Sequence, residues 1–378
     1  MMWFVNQFIK MALPILLLLV AKEFSLSYTD AGILVTTYLV VSALMQLPTG
    51  QLANRVGSKK ILAFGISFLS ASSILVAVST NYFHFFILQI LTAIGSGCHL
   101  SVATALISNL FSERERGTAI GTHESAVSLG ALLSSSVTMP LALLVGWRLV
   151  FLAYGVFGLS LAGTVWMLMP NTERSEKERF PTPRHGQGEF TTRILTLFSV
   201  LALHVFVYQA IYAFLPSYLS AEKGIPLFYV GYYVAVPHLL GVFGRPLGGY
   251  MSDRMGRRRM TLLSLVSLAS GLLLTILVPS GYTLVLTLSL LGFGLHSAIP
   301  VLFAFLTDLF SPSRRALILG RFNTVRLLIG GISPVVVGIV VDSSGFLPAF
   351  LALVLAVAAS FSLALKVFEK NSEHTKER

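Results

Sequence analysis

Charged residues are scarce in this sequence. Only 11% of its 378 residues are Asp, Glu, Lys or Arg, whereas a soluble domain normally carries about 25%. Hydrophobic residues make up 55% of the chain, and the mean hydropathy is +0.80 over its whole length. So much apolar surface cannot be hidden in one soluble core, and it must face lipid. The composition therefore predicts an integral membrane protein whose constant partner is the lipid bilayer.

Cysteine is nearly absent, since Cys98 is the only one. A single thiol excludes a disulfide within the chain and a metal site built from several cysteines. The sequence also lacks the G-x-x-x-x-G-K-[ST] segment that binds the phosphates of ATP. No His/Glu metal spacing and no Ser/His/Asp set stands in one recognisable segment. We therefore expect no metal site, no cofactor and no catalytic residues, and the protein is not predicted to be an enzyme.

Long apolar runs recur along the whole chain. A helix that crosses a bilayer needs roughly 20 residues, and twelve runs satisfy this length. They lie near residues 3–21, 31–53, 61–79, 83–108, 117–140, 146–168, 194–219, 227–250, 261–279, 282–307, 316–341 and 346–366. The sequence therefore predicts twelve membrane spans.

The net charge of +11 would suggest a nucleic-acid partner in a soluble protein. Here the charges stand in short loops between apolar runs, so no nucleic acid is expected. Most of the 27 Lys and Arg residues follow the even-numbered runs, whereas the opposite loops hold only Lys22 and Lys223. By the positive-inside rule, the basic loops and both termini are cytoplasmic. We expect a multi-pass protein of the plasma (cell inner) membrane.

The chain divides into two similar halves. We predict an N-terminal six-helix bundle at 1–170, a cytoplasmic linker at 171–192, and a C-terminal six-helix bundle with a short cytoplasmic tail at 193–378. The halves align at one fixed offset, which pairs Gly50 with Gly249 and also Gly95 with Gly294. Gene duplication explains such a repeat and predicts two structurally similar bundles.

The most distinctive motif of the repeat follows the second span of each half. Residues 249–258 read G-Y-M-S-D-R-M-G-R-R, and a degenerate copy begins at Gly50, with Asn54 in place of the acid. On these two loops the chain resembles the major facilitator superfamily, and the resemblance covers nearly the whole chain. It implies an all-α membrane protein of twelve transmembrane helices, in two six-helix halves related by pseudo-two-fold symmetry, that acts as a monomeric secondary transporter.

The resemblance also implies that this loop is a cytoplasmic gate, closed when the transporter is open outward. Gly57 and Gly256 suit tight turns, and Gly249 permits close helix approach. The simpler alternative is that the basic run only sets topology. The candidate gate residues are Gly50, Asn54, Arg55, Gly57, Lys60, Gly249, Asp253, Arg254, Gly256, Arg257, Arg258 and Asp308.

Ionisable residues deep in a span cost at least about 2.5 kcal/mol and normally face a polar interior. Spans 3, 6, 9 and 12 contain none between their ends, which matches the lipid-facing helices that the resemblance implies. The candidates for substrate contact or proton coupling are deep ionisable residues and polar residues that share a helix face with them. They are Lys10, Glu124, Arg326, His204, Tyr208, His99, His296, Asn6 and Asn323.

Lys10 and Arg326 require an explanation because a buried cation needs an anion. Glu124 is the only acid well inside a span. It either pairs with one of the cations, as a structural pair or a proton-coupling switch, or belongs to the inner gate. Otherwise the cations await an anionic substrate such as a carboxylate or phosphate ester. The excess of deep cations over deep acids favours an anion.

The leading hypothesis is a secondary transporter that moves a small solute, preferentially an organic anion, by alternating access. Coupling to H⁺ and uniport both stay open. A multidrug exporter is the alternative, although Leu91 stands where the proton-coupled exporters of the family carry an arginine. An alternative of another class is a membrane sensor or scaffold that has the same fold and transports nothing.

Overall fold

The chain is α-helical in the computed structural model, which describes residues 2–110, 113–169, 192–308 and 312–374. The helices are α1 (Met2–Phe24), α2 (Tyr28–Val56), α3 (Ser58–Val76), α4 (Tyr82–Gly97), α5 (Leu100–Leu110), α6 (Glu113–Val145), α7 (Trp147–Leu168), α8 (Thr192–Ala221), α9 (Leu227–Met255), α10 (Arg257–Leu277), α11 (Tyr282–Asp308), α12 (Pro312–Ser344) and α13 (Phe346–His374).

Twelve segments of the described chain are long and apolar enough to cross a bilayer, with α4 and α5 together forming one. The predicted number of spans is therefore confirmed. Helices are the expected solution because lipid offers no hydrogen-bond partners, so each backbone N–H and C=O must be satisfied within its own segment.

The repeated loop forms a tight turn in both halves. Helices α2 and α3 meet at Gly57, and α9 and α10 meet at Gly256. Their φ angles are 94° and 89°, values that glycine adopts without strain because it has no Cβ. Both turns lie where the sequence predicts them.

The repeat is also visible in how neighbouring helices pack. A Cβ placed on Gly95 of α4 would lie 2.5 Å from the backbone N of Leu69 in α3. A Cβ on Gly294 of α11 would collide in the same way with the backbone N of Leu268 in α10. The equivalent glycines thus allow equivalent close helix contacts, which is how helices commonly associate in lipid.

The described helices group into two compact units. The first unit comprises Met1–Ser25 and Thr37–Glu189, and the second comprises Leu26–Thr36 and Phe190–Arg378. Residues 170–191, which hold nearly all of the expected linker, lie outside the described chain. The division at 1–170, 171–192 and 193–378 therefore stays a prediction.

The first turns of α2 group with the second unit although they precede most of the first unit in sequence. The backbone N of Val335 in α12 donates a hydrogen bond of 3.1 Å to Oγ1 of Thr36. A Cβ on Gly32 would lie 2.5 Å from the carbonyl oxygen of Pro334, so the two backbones are in contact there. These contacts join α2 to α12 across 299 residues of sequence.

Candidate functional site

In the first unit, Asn6 connects α1 to α4. Its Nδ2 donates to the carbonyl oxygen of Ser96 at 3.1 Å, and its Oδ1 accepts from Oγ of Ser96 at 3.0 Å. Asn6 is buried, and this pair of bonds satisfies its amide. Asn6 and Lys10 share a face of α1 by their spacing of four residues, and the hydrogen bonds that Asn6 makes within the described chain go to Ser96 on α4.

His99 lies at the break between α4 and α5, in a stack of aromatic rings. The Trp3 indole of α1 stacks on it with ring centroids 4.8 Å apart, and the His123 ring of α6 lies 5.3 Å away. His99 is buried, and its Nε2 has no hydrogen-bond partner within the described chain. The sequence indicated His99 as a candidate, but it gave no sign that Trp3 would cover it.

Lys10 is partly buried in α1. Among the described residues, the structure shows neither a hydrogen bond nor an ion pair for its ammonium group. The side chain of Glu124, its proposed partner, lies outside the described part of the structure, and so does that of Asn54. The hypothesis that Glu124 pairs with Lys10 or Arg326 therefore stays a prediction.

In the second unit, Arg326 and Asn323 interact directly along α12. The Nε and Nη2 atoms of Arg326 donate to Oδ1 of Asn323 at 2.9 and 2.5 Å. The guanidinium carbon lies 4.8 Å from the centre of the Phe303 ring of α11. An amide oxygen accepts hydrogen bonds from a cation, so Asn323 orients the Arg326 guanidinium.

Two buried histidines of the second unit, His238 and His296, lie beside Tyr212. The Tyr212 hydroxyl is 2.9 Å from Nε2 of His296, and its ring stacks on that of His238 with centroids 4.2 Å apart. The Tyr208 ring stands edge-on to His296 at 5.5 Å. These contacts join α8, α9 and α11 through polar aromatic side chains.

His204 lies on the same side of α8 but bonds to the backbone. Its Nε2 is 2.9 Å from the carbonyl oxygen of Leu295. A carbonyl can only accept, so Nε2 carries the proton. His204 is fully buried and its Nδ1 has no partner within the described residues.

The sequence predicted part of this group and missed part of it. It named His204, Tyr208 and His296, which the structure brings together, but it omitted His238 and Tyr212. Two signals were present, because Tyr212 follows Tyr208 by four residues on one helix face, and His238 is an ionisable residue deep in its span. What the sequence could not show is that these two rings stack on each other.

The loop motif of the second unit forms a hydrogen-bonded network around Arg257. Its Nε lies 3.2 Å from Oδ2 of Asp308, and its Nη1 lies 2.5 Å from Oδ1 of Asp253 and 2.5 Å from Oγ of Ser252. One arginine thereby connects the ends of α9, α10 and α11. The sequence offered Arg257 or Arg258 as the partner of Asp308, and the structure shows Arg257, while Arg258 is exposed.

The other gate candidates are placed differently. Arg254 lies over the Tyr250 ring at 4.5 Å, and Arg55 and Lys60 are exposed. A Cβ on Gly50 would meet Oγ of Ser101 at 3.5 Å, which is ordinary contact.

The close approach expected at Gly249 is made one residue earlier. A Cβ on Gly249 would have nothing within 4 Å, whereas one on Gly248 would lie 2.7 Å from the carbonyl oxygen of Ser297. The side of α9 that packs on α11 therefore carries Gly248, and Gly249 lies beside it.

Twelve spans, buried polar groups inside them and an ion-pair network at the ends of three helices define a polytopic membrane transport protein. The described residues contain no group of three or more His, Cys, Asp or Glu side chains that could hold a metal ion. The sequence matches the Major Facilitator Superfamily over residues 1–255 and 197–378. The chain belongs to this superfamily, whose members are transporters and not enzymes.

Named relatives cover nearly the whole chain. A probable L-galactonate transporter of Escherichia coli K12 is 23% identical over 90% of this chain and 81% of its own length. A probable sulfoacetate transporter of Cupriavidus necator is 26% identical over 91% of this chain and 86% of its own length.

A solved structure shares the fold. A bacterial homolog to the human lysosomal transporter Spinster, in an inward-facing and occupied conformation, aligns with a TM-score of 0.81 at 17% identity. The alignment covers 97% of this chain and 94% of that protein.

Proposed function

We propose that the protein is a secondary transporter that moves a small organic anion, of the carboxylate class, across the plasma membrane. The observation that carries the proposal is the charge of the span interiors. Arg326 lies deep in α12, Arg245 in α9 and Lys10 in α1, and among the side chains that the structure describes no Asp or Glu lies between the first and last turns of a span.

A deep cation is stabilised by an anion, and the spans of this sequence hold more deep cations than deep acids. A carboxylate solute adds an anion each time it binds. Asn323 supports this role because it orients the Arg326 guanidinium. The two named relatives are consistent with the same class of solute, since galactonate and sulfoacetate both carry a carboxylate.

The transport cycle that we propose is alternating access, in which the solute site opens to one side of the membrane at a time. The Arg257 network is the proposed cytoplasmic gate. In this proposal both termini lie on the cytoplasmic side of the membrane, and the chain acts as a monomer. We propose that the ends of α9, α10 and α11 separate as the site opens to the cytoplasm. This separation would break the contacts of the network, so their free energy would bias the equilibrium between the two states.

Uptake into proteoliposomes tests the function. Purified protein is reconstituted, and entry of labelled L-galactonate and sulfoacetate is compared between wild type, Arg326→Gln and Arg259→Gln. Arg259 is exposed and serves as the matched control. We expect Arg326→Gln to lower uptake at least tenfold, and Arg259→Gln to leave it unchanged.

The alternatives have distinct outcomes in the same assay. Binding of a carboxylate without flux would indicate a sensor or scaffold. Efflux of a cationic dye together with no carboxylate uptake would indicate a multidrug exporter. Equal uptake by wild type and Arg326→Gln would show that the α12 cation does not contact the solute.

A further inference from the structure

The first copy of the repeated loop keeps its cations but lacks the acids of the second copy. At the fixed offset of the repeat, Asn54 and Asn109 stand in place of the two carboxylates of the Arg257 network, and Ser58 stands in place of Arg257 itself. The ion pairs of the second unit therefore have no counterpart in the first. The cations that this copy keeps are Arg55, Lys59 and Lys60.

The lysines lie at one end of a helix pair. Helices α3 and α7 pack against each other in opposite directions, since a Cβ on Gly155 of α7 would lie 2.6 Å from Cγ1 of Ile74 in α3. Further along both helices, Nζ of Lys59 lies 5.1 Å from the centre of the Trp166 ring. Lys59 is in the first turn of α3 and Trp166 in the last turn of α7. The attraction of an ammonium group to an indole face holds the two side chains together.

Apolar side chains beside the lysines are exposed. They are Trp166 and residues 167–168 at the end of α7, and Phe64, which follows Lys60 by four residues on the same face of α3. At the end of a membrane span, exposed apolar side chains contact acyl chains, and tryptophan lies at the level of the headgroups. The indole thus places the Lys59 ammonium at the depth of lipid phosphates.

The described side chains of the first unit offer these cations no acid. Glu23 is the one carboxylate described there, and it pairs with Arg148 at the opposite end of α7, with N and O atoms 2.7 Å apart. Arg55 and Lys60 are exposed, and Lys59 is half-buried. The positive charge at this end of the helix pair is therefore available to a partner.

The combination of charge and apolar surface fits a phospholipid with a net negative headgroup. Its phosphate oxygens accept hydrogen bonds from ammonium and guanidinium groups, and its acyl chains cover Phe64 and Trp166. A zwitterionic headgroup adds a cation that the lysines repel, and a soluble anion leaves the exposed apolar side chains uncovered. In the proposed orientation this surface lies in the cytoplasmic leaflet, where anionic lipids attract basic segments.

We propose that Arg55, Lys59, Lys60 and Trp166, here called the Lys59 surface, bind the headgroup of an anionic phospholipid. The leaflet assigned to this lipid rests on the orientation in the proposed function, whereas the binding itself does not depend on the transported solute. The second unit has no equivalent of this surface, because Leu365 stands in the position that corresponds to Trp166.

Tryptophan fluorescence in bilayers tests the proposal at the surface itself. Purified protein is reconstituted in phosphatidylcholine that contains increasing fractions of brominated phosphatidylglycerol, or of brominated phosphatidylcholine as the reference. Bromine on an acyl chain quenches a tryptophan that it contacts, and the difference between wild type and Trp166→Phe isolates the emission of Trp166. One cation near an anionic lipid contributes about fivefold in affinity. We expect phosphatidylglycerol to bind beside Trp166 at least about fivefold more tightly than phosphatidylcholine.

Two double variants locate the binding site. Lys59→Gln/Lys60→Gln should bring the two lipids to equal affinity beside Trp166. The matched control is Arg258→Gln/Arg259→Gln, which removes the same charge at the equivalent positions of the second unit, and it should keep the wild-type preference. High salt should weaken the preference of the wild type because it screens exposed charges. Melting temperatures show whether each variant is folded.

Equal quenching of wild-type Trp166 by the two brominated lipids would overturn the proposal. So would a preference that survives in Lys59→Gln/Lys60→Gln, since the anionic lipid would then bind elsewhere. A loss of the preference in the arginine control as well would show an effect of net charge without a specific site. If inorganic phosphate removed the preference at constant ionic strength, the surface would bind a soluble anion instead of a lipid. A failure to transport any carboxylate would refute the proposed function alone, because the quenching measurement uses no solute.

Discussion

The carboxylate of Asp342, near the end of α12, accepts hydrogen bonds from the start of α2. The backbone N atoms of Tyr28 and Thr29 donate to it at 3.0 and 2.7 Å, and Oγ1 of Thr29 also donates to it, at 2.5 Å. A carboxylate in this position satisfies N–H groups that have no partner within the helix, and it meets the positive end of the helix dipole. Asp342 is thus an N-cap supplied from 313 residues away in sequence.

Asp342→Asn tests the strength of this cap. The amide keeps the shape of the side chain but loses the charge and one acceptor atom, so we expect the free energy of unfolding to fall by about 1 kcal/mol. Thermal unfolding of the purified protein in detergent gives the measurement. The matched control is Ser343→Ala, since the exposed Ser343 side chain bonds, among the described residues, only to the backbone of Val340 and to Ser344. Equal melting of wild type and Asp342→Asn would show that the cap adds nothing.

The Arg257 network makes a prediction about transport rate. Asp253→Asn and Asp308→Asn each remove one carboxylate partner, and Arg257→Gln removes both ion pairs at once. Exposed ion pairs contribute up to about 1 kcal/mol each, so we expect each Asn variant to slow anion uptake up to fivefold and Arg257→Gln to slow it more. Protein yield should not change. Arg259→Gln is the control, and unchanged kinetics in all three variants would refute the proposed gate.

The equivalent glycines of the repeat predict equivalent losses of stability. Gly95→Ala and Gly294→Ala place a methyl group against the backbone of Leu69 and Leu268, and overpacking of this kind costs about 1–3 kcal/mol. Gly163→Ala is the control, because its Cβ would meet nothing within 4 Å. We expect both repeat variants to melt well below wild type, and Gly163→Ala to melt at or above it. A loss in only one half would contradict the equivalence of the two contacts.

The twelve-span fold could be predicted because a membrane allows few solutions. Each span needs an apolar run of fixed length and satisfies its own backbone, and both properties are local in sequence. The grouping of Leu26–Thr36 with the second unit could not be predicted in this way. It depends on contacts that Asp342 and Pro334 of α12 make with the start of α2. Their partners, Tyr28, Thr29 and Gly32, lie in the other half of the sequence.

The candidate site was predictable where one helix carries it. Asn323 and Arg326 are three residues apart, and this spacing alone places them side by side. Asn6 shows the limit of that reasoning, because its amide bonds to Ser96 on another helix rather than to a neighbour on α1. The stack of His238 on Tyr212 also joins two helices, and such pairs depend on helix rotation and depth.

Asn323→Asp provides the sharpest test of anion recognition. The substitution replaces the amide oxygen that accepts from Arg326 with a carboxylate oxygen of the same reach, and so turns a hydrogen bond into an ion pair. The guanidinium keeps its position while its charge is neutralised from within the protein.

If that charge attracts the solute, the apparent affinity of the Asn323→Asp variant for L-galactonate should fall at least tenfold. The melting temperature should stay equal or rise, because the substitution places a carboxylate beside a partly buried cation. Initial uptake rates over a range of anion concentrations give the affinity, and Asn323→Gln is the control that changes the length of the side chain without adding charge. An affinity in Asn323→Asp equal to that of wild type would mean that the solute binds away from Arg326.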